Sequence, residues 1–103
     1  MNITALEKML AKGNDSAMLR FGLGKAYLDD QNAEIAIGHF RHCVGMDPSY
    51  SAAWKLLGKA LLQGGDASEA ETAWQQGLAA AQEKGDKQTE REITVFLKKL
   101  SKR

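Results

Sequence analysis

By type and spacing, His39, His42 and Cys43 are the side chains here best placed for chemistry. His39 and Cys43 stand at i, i+4, so on a helix they share one face and could grip a zinc ion from one side. A structural zinc site takes four ligands, and the sequence holds no second Cys/His cluster to complete the set. Gly22-Leu23-Gly24-Lys25 is a second candidate, because a glycine-rich run ending in lysine can cradle phosphate. Its spacing is incomplete, no Ser or Thr follows the lysine, and the surrounding periodicity puts it inside a helix. Lys25, Lys55 and Lys59 form a third group, whose chemistry is anion capture: clustered ammonium groups repel one another and gain when a carboxylate arrives. No pair of carboxylates is spaced for acid–base work. The expectation is a chain that is not an enzyme and uses neither metal nor cofactor.

The elements that must position these residues are helical. Among 103 residues, alanine and leucine lead with fifteen and twelve, against four Ile, two Val and four Thr. Ala and Leu lose little rotamer freedom in a helix, whereas β-branched residues suit strands. Net charge is +1, which gives no global pull toward nucleic acid or membrane. The lone cysteine cannot form an internal disulfide, which fits a reducing compartment. No apolar run approaches a membrane span, and MNITALEKMLAKGNDS does not read as a signal peptide. A cytoplasmic location without membrane contact follows as the expectation.

Sliding the chain by 34 residues exposes an internal repeat. Leu23-Gly24-Lys25-Ala26-x-Leu28 falls on Leu57-Gly58-Lys59-Ala60-x-Leu62, Ala33 and Ala36 on Ala67 and Ala70, and Phe40 on Trp74. Each unit reads as two helices. The first spans about 16–29, capped by Asn14-Asp15, and the second about 33–45, capped by Asn32. Asp47-Pro48 marks the next boundary, with proline at the first helical position of a helix near 49–63. Gly64-Gly65 supplies a left-handed stop, Asp66 with Glu69 resembles a capping box opening a helix to about 82, and Gly85-Asp86 separates a last helix. Gly24 and Gly58 lie mid-helix, where glycine costs about 1 kcal/mol against alanine. Close approach of a neighbouring helix would offset that, with Phe40 and Trp74 as the wedges and Cys43 on a small core position. Leu6, Met9 and Leu10 keep the phase of Phe40, Cys43 and Val44, so the N-terminal helix stands where the second helix of a preceding repeat would be.

These positions resemble the tetratricopeptide repeat family, whose W-x2-L-G-x2-Y, A-x3-F and P pattern is met by Leu23, Gly24, Tyr27, Ala36, Phe40 and Pro48. The second unit meets it with Trp54, Leu57, Gly58, Ala70 and Trp74. Arg20 for Trp, Leu61 for Tyr, Cys43 and Gly77 for Ala, and Gln82 for Pro are departures. The resemblance implies an all-α, short right-handed α-solenoid of about six helices in one domain. Residues 1–15 form an N-terminal helix, 16–49 and 50–84 the two repeat hairpins, and 85–103 a C-terminal capping helix.

It also implies a concave groove lined by first helices. The matching positions are Met18, Phe21, Lys25, Leu28 and Asp29 in the first unit. The second unit supplies Ala52, Lys55, Lys59, Leu62 and Gln63, and the last helix Asp86, Thr89, Ile93 and Phe96. Family members that clamp a terminal carboxylate use Lys, Asn, Asn, Lys and Arg, whereas Phe21, Lys25, Leu56, Asp86 and Glu90 stand here, so that clamp is not expected. The implied function is protein–protein interaction: a scaffold binding an acidic or amphipathic segment of a partner, from a monomer or weak homodimer. The alternative is a structural subunit associating through its terminal helices, as a homo-oligomer or within a larger assembly. A nucleic-acid contact through Lys98, Lys99, Lys102 and Arg103 ranks last, because no aromatic residues interleave these charges as stacking platforms.

Overall fold

The computed structural model of the chain describes residues 2–102; Met1, at the head of the N-terminal segment, and Arg103, of the basic C-terminus, lie outside the described residues. Its helices are α1 (Ile3–Ala11), α2 (Ala17–Asp29), α3 (Ala33–Met46), α4 (Ser51–Gln63), α5 (Ala67–Lys84) and α6 (Lys87–Ser101). Short polar side chains begin five of them by accepting an orphan amide hydrogen bond. Asn2 caps α1, Asn32 caps α3, Asp66 caps α5 and Asp86 caps α6. At α2 the cap is Ser16, whose Oγ accepts from the Leu19 amide at 3.1 Å, and not Asn14-Asp15. Asp15 is instead drawn to Arg20, which donates to both of its carboxylate oxygens at 2.8 and 2.9 Å.

Two other local expectations change. Pro48 does not open α4: residues 47–50 form a tight turn, and the helix starts at Ser51 with no side-chain cap at Tyr50. Asp47 spends its carboxylate inside that turn, on the Ser49 amide and hydroxyl, and the Trp54 indole N–H pins the turn through the Pro48 carbonyl at 2.8 Å. Asp66 and Glu69 make half a capping box. The Asp66 side chain holds the Glu69 amide at 3.0 Å, but the Asp66 amide closes α4 by donating to the Leu61 carbonyl, and Glu69 pairs with Arg41.

The α2–α3 and α4–α5 pairs are tightly packed hairpins, and α3 lies against α4, so the two hairpins stack in sequence order. α1 covers the first hairpin through α2, and α6 covers the second through α5. α2, α4 and α6 form one row, which is the inner layer of a short α-solenoid. Phe40 and Trp74 are buried between the helices of their hairpins. A Cβ on Gly24 would lie 2.6 Å from the Phe40 ring, and one on Gly58 would run into the Trp74 indole. Both glycines are therefore required by the aromatic side chain opposite. Gly77 serves the next interface, where a Cβ would crowd Trp54 Cβ and Ile93. Arg20, in the register position of Trp54, keeps the first hairpin intact by bridging Asp15 and the His39 ring nitrogen, the latter at 3.2 Å.

Candidate groove on the inner helix row

Because helices of one row present equivalent positions side by side, a stripe at i, i+3 and i+4 on α2 continues onto α4. The result is an open groove of about 700 Å³. Lys25, Leu28 and Asp29 enter it from α2, and Lys59, Leu62 and Gln63 from α4. With Phe96 of α6, seven of the fourteen groove positions expected from the sequence line it. Leu56 and Trp74 complete the apolar floor, Phe96 comes from α6, and Gln31 sits at the rim, where its amide oxygen accepts from Gln63 at 2.8 Å. Leu56 was legible as the residue one turn before Lys59, whereas Gln31, in a turn, follows no helical period.

Met18, Phe21 and Lys55 behave differently. Met18 and Phe21 line a second groove, of about 650 Å³, along α2 beside α1. Phe21 also stacks on Tyr50 at 4.9 Å between centroids, which ties that side chain to the core. Lys55 lines neither groove. Its Nζ lies 2.9 Å from Glu92 of α6 and its side chain is only 19% exposed, so its charge is already matched. The expected cluster of three self-repelling lysines thus reduces to two, Lys25 and Lys59, both exposed. Lys59 holds its ammonium 5.6 Å above the Phe96 ring, and Phe96 in turn leans on Trp74 at 5.3 Å.

On α6 only Phe96 reaches the groove. Ile93 is fully buried and Thr89 nearly so, because a helix closing a stack turns those positions inward, and Asp86 is held by the Ser51 hydroxyl at 2.7 Å and its capping role. Those bonds keep the Asp86 carboxyl below its ordinary range. Ala52 is half-buried and lies outside both grooves.

The His/Cys constellation is dispersed by packing. Cys43 is buried in the core, and burial pushes its thiol up to about 11. His39 stacks on Tyr27 at 5.6 Å, and burial followed by the neighbouring Arg20 lowers its pKa. Tyr27 donates its hydroxyl to Glu7 of α1 at 2.6 Å, so a chain of contacts runs from α1 through α2 to α3. Among the described residues no three His, Cys, Asp or Glu side chains converge as metal ligands.

Known proteins agree with this architecture. Residues 21–86 match the family model of the tetratricopeptide repeat. A TPR repeat-containing protein of Pseudomonas aeruginosa is 61% identical over 102 residues, covering 99% of this chain and 97% of its own. The solution structure of a Bordetella parapertussis protein aligns with a TM-score of 0.86 at 46% identity, over 99% of this chain and 89% of that one. A tetratricopeptide repeat domain protein of Salinibacter ruber aligns at 0.79 and 25% identity, over 84% of this chain and 97% of that one. With its hairpins, wedges and end helices in the right-handed solenoid of these proteins, the chain belongs to the tetratricopeptide repeat family, whose members are protein-interaction modules.

Proposed function

We propose that this chain seats an acidic, amphipathic segment of a partner protein in the groove of α2, α4 and α6. The observation that carries the reading is the pairing of two exposed cations, Lys25 and Lys59, with a floor of Leu28, Leu56, Leu62 and Phe96. Apolar side chains of the ligand would supply most of the affinity, since their burial is worth about 25 cal/mol per Å². The lysines would set orientation and reject basic segments, and Asp29 at the end of α2 would hold a cation or amide of the ligand. The role is binding rather than catalysis. The cytoplasm is the compartment we assign, on the strength of the free thiol in the core; among the described residues no helix is long and apolar enough to cross a membrane.

A displayed peptide library selected on the wild-type chain tests this. Enriched peptides are expected to carry Leu or Phe flanked by Asp or Glu. Exposed charge pairs are worth about 0.2–1 kcal/mol each, so reversing both lysines in a K25E/K59E variant should weaken those peptides about tenfold. Equal affinity for the variant, or enrichment of neutral or basic peptides, would reject the reading.

A further inference from the structure

The two ends of the solenoid are finished differently. α6 ends the stack with a basic outer face: Lys87, Arg91, Lys98, Lys99 and Lys102 are exposed there, around one half-exposed apolar residue, Val95. Of its two carboxylates, Glu92 pairs with Lys55 of α4, and Glu90 lies between Gln82 of α5 and Lys87. That is a solvated cap, and two such faces repel. α1 ends the other side with an outer stripe of Asn2, Ala5, Met9 and Lys12, at steps of three and four, all exposed. Met9 is 45% and Met18 of α2 75% exposed, the latter the most open large apolar side chain among the described residues. Charges at this end are unevenly placed. Lys8 and Lys12 stand at the C-terminal end of α1, while Asp29 and Asp30 of α2, outnumbering Lys25 one turn before them, share the second groove with Ile3, at the N-terminal end of α1.

An apolar centre with opposite charges at its two ends complements itself when turned through 180°. We infer that the α1–α2 face is a homodimer interface, its occupant being the same face of a second copy, with α1 antiparallel to its counterpart. The twofold axis passes between Ala5 and Met9, so each Met9 lies over the Ala5 of the other copy, whose small side chain admits it. The Lys8/Lys12 end of each copy then meets the Asp29/Asp30 end of the other. A twofold interface must be self-complementary in this way, and here the sequence makes it so. Head-to-tail stacking of α6 on α1 is disfavoured, because it sets Lys87 and Arg91 against Lys8 and Lys12. The face is small and polar at its ends, which makes the association weak and sensitive to salt.

Sedimentation velocity on the full chain, from about 10 μM to about 1 mM at low salt, reads this directly. The expected result is a rise toward the dimer mass that is suppressed by added salt. The K8E/K12E and D29K/D30K variants should each stay monomeric while keeping native helicity, since all four positions are exposed. Mixed together, the two variants should recover association, because only the mixed dimer matches charges at both ends. A wild-type chain that remains monomeric throughout overturns the inference. So does stronger association of K8E/K12E, which head-to-tail stacking would give, or a mixture that stays monomeric.

Discussion

Gly58 and Gly38 are both helical glycines, and a methyl group on each should have opposite effects. At Gly58 a Cβ would overlap the Trp74 indole, whose N–H also donates to the Lys55 carbonyl at 2.9 Å. Neither ring nor backbone can withdraw without opening the hairpin, so G58A is expected to lose about 2–3 kcal/mol, the scale of overpacking. At Gly38 nothing lies within 4 Å, and G38A should gain about 0.5–1 kcal/mol from helix propensity alone. Urea unfolding followed by circular dichroism measures both. His39 carries the second prediction at this scale. Its folded pKa lies below the ordinary 6.5, so the fold favours the neutral ring. That contribution is complete above the ordinary value and fades as pH drops beneath it, when protonation removes the acceptor that Arg20 uses. Asp15 is also held low, by the Arg20 hydrogen bonds first, and its contribution fades only below the ordinary 3.8. Between pH 7 and 5 the melting temperature should therefore fall, and H39Q should flatten that slope.

Helix ends show the repeat at work on a longer scale. α4 closes with Gly65 at φ +92°, its amide on the Leu62 carbonyl and the Asp66 amide on the Leu61 carbonyl. The residue that completes this closure, Asp66, is also the cap of α5, so one three-residue turn ends a helix and starts the next. α2 closes in the same way, with Asn32 in the double role and Gln31 at φ +63° in the glycine position. A side chain in that region costs about 1 kcal/mol. The exposed Gln31–Gln63 hydrogen bond recovers only part of this, because water offers the same bonds. Q31G is expected to stabilise the chain by about 0.5 kcal/mol, read as a higher urea midpoint at unchanged slope. It would also open the rim of the groove, which makes the substitution informative for binding.

At the scale of the molecule, stability and function share the same surfaces. Two hairpins alone would leave apolar faces at both ends of the stack, and repeat proteins gain most of their stability from such neighbour contacts. α6 covers one end by placing Ile93 against Gly77 and Phe96 against Trp74. A chain ending at residue 85 is expected to lose its cooperative thermal transition, because Trp74 and Ala81 would face water. Calorimetry would show a broadened or absent peak. Phe96 is also part of the groove floor, so the helix that completes the fold completes the proposed binding surface. α1 covers the other end less fully, and its outer stripe is where a second copy is inferred to add contacts.

Helix count, hairpin pairing and the wedge-and-glycine interfaces could be read from the chain, because each depends on a short-range pattern: spacing of apolar residues, turn residues, and a 34-residue register shared by Leu23 and Leu57, Phe40 and Trp74. Seven groove residues, Phe96 among them, were legible for the same reason, since equivalent positions on stacked helices must come together. What the sequence reading misassigned were the choices between partners of similar local merit. Asp15 could have capped α2 or paired with Arg20, and Pro48 could have opened α4 or closed a turn. Lys55 could have joined its neighbouring lysines, yet Glu92, 37 residues away, takes it. Such choices depend on which groups the completed stack brings within hydrogen-bond reach. Only tertiary structure fixes those distances, because charges and caps carry no periodicity of their own.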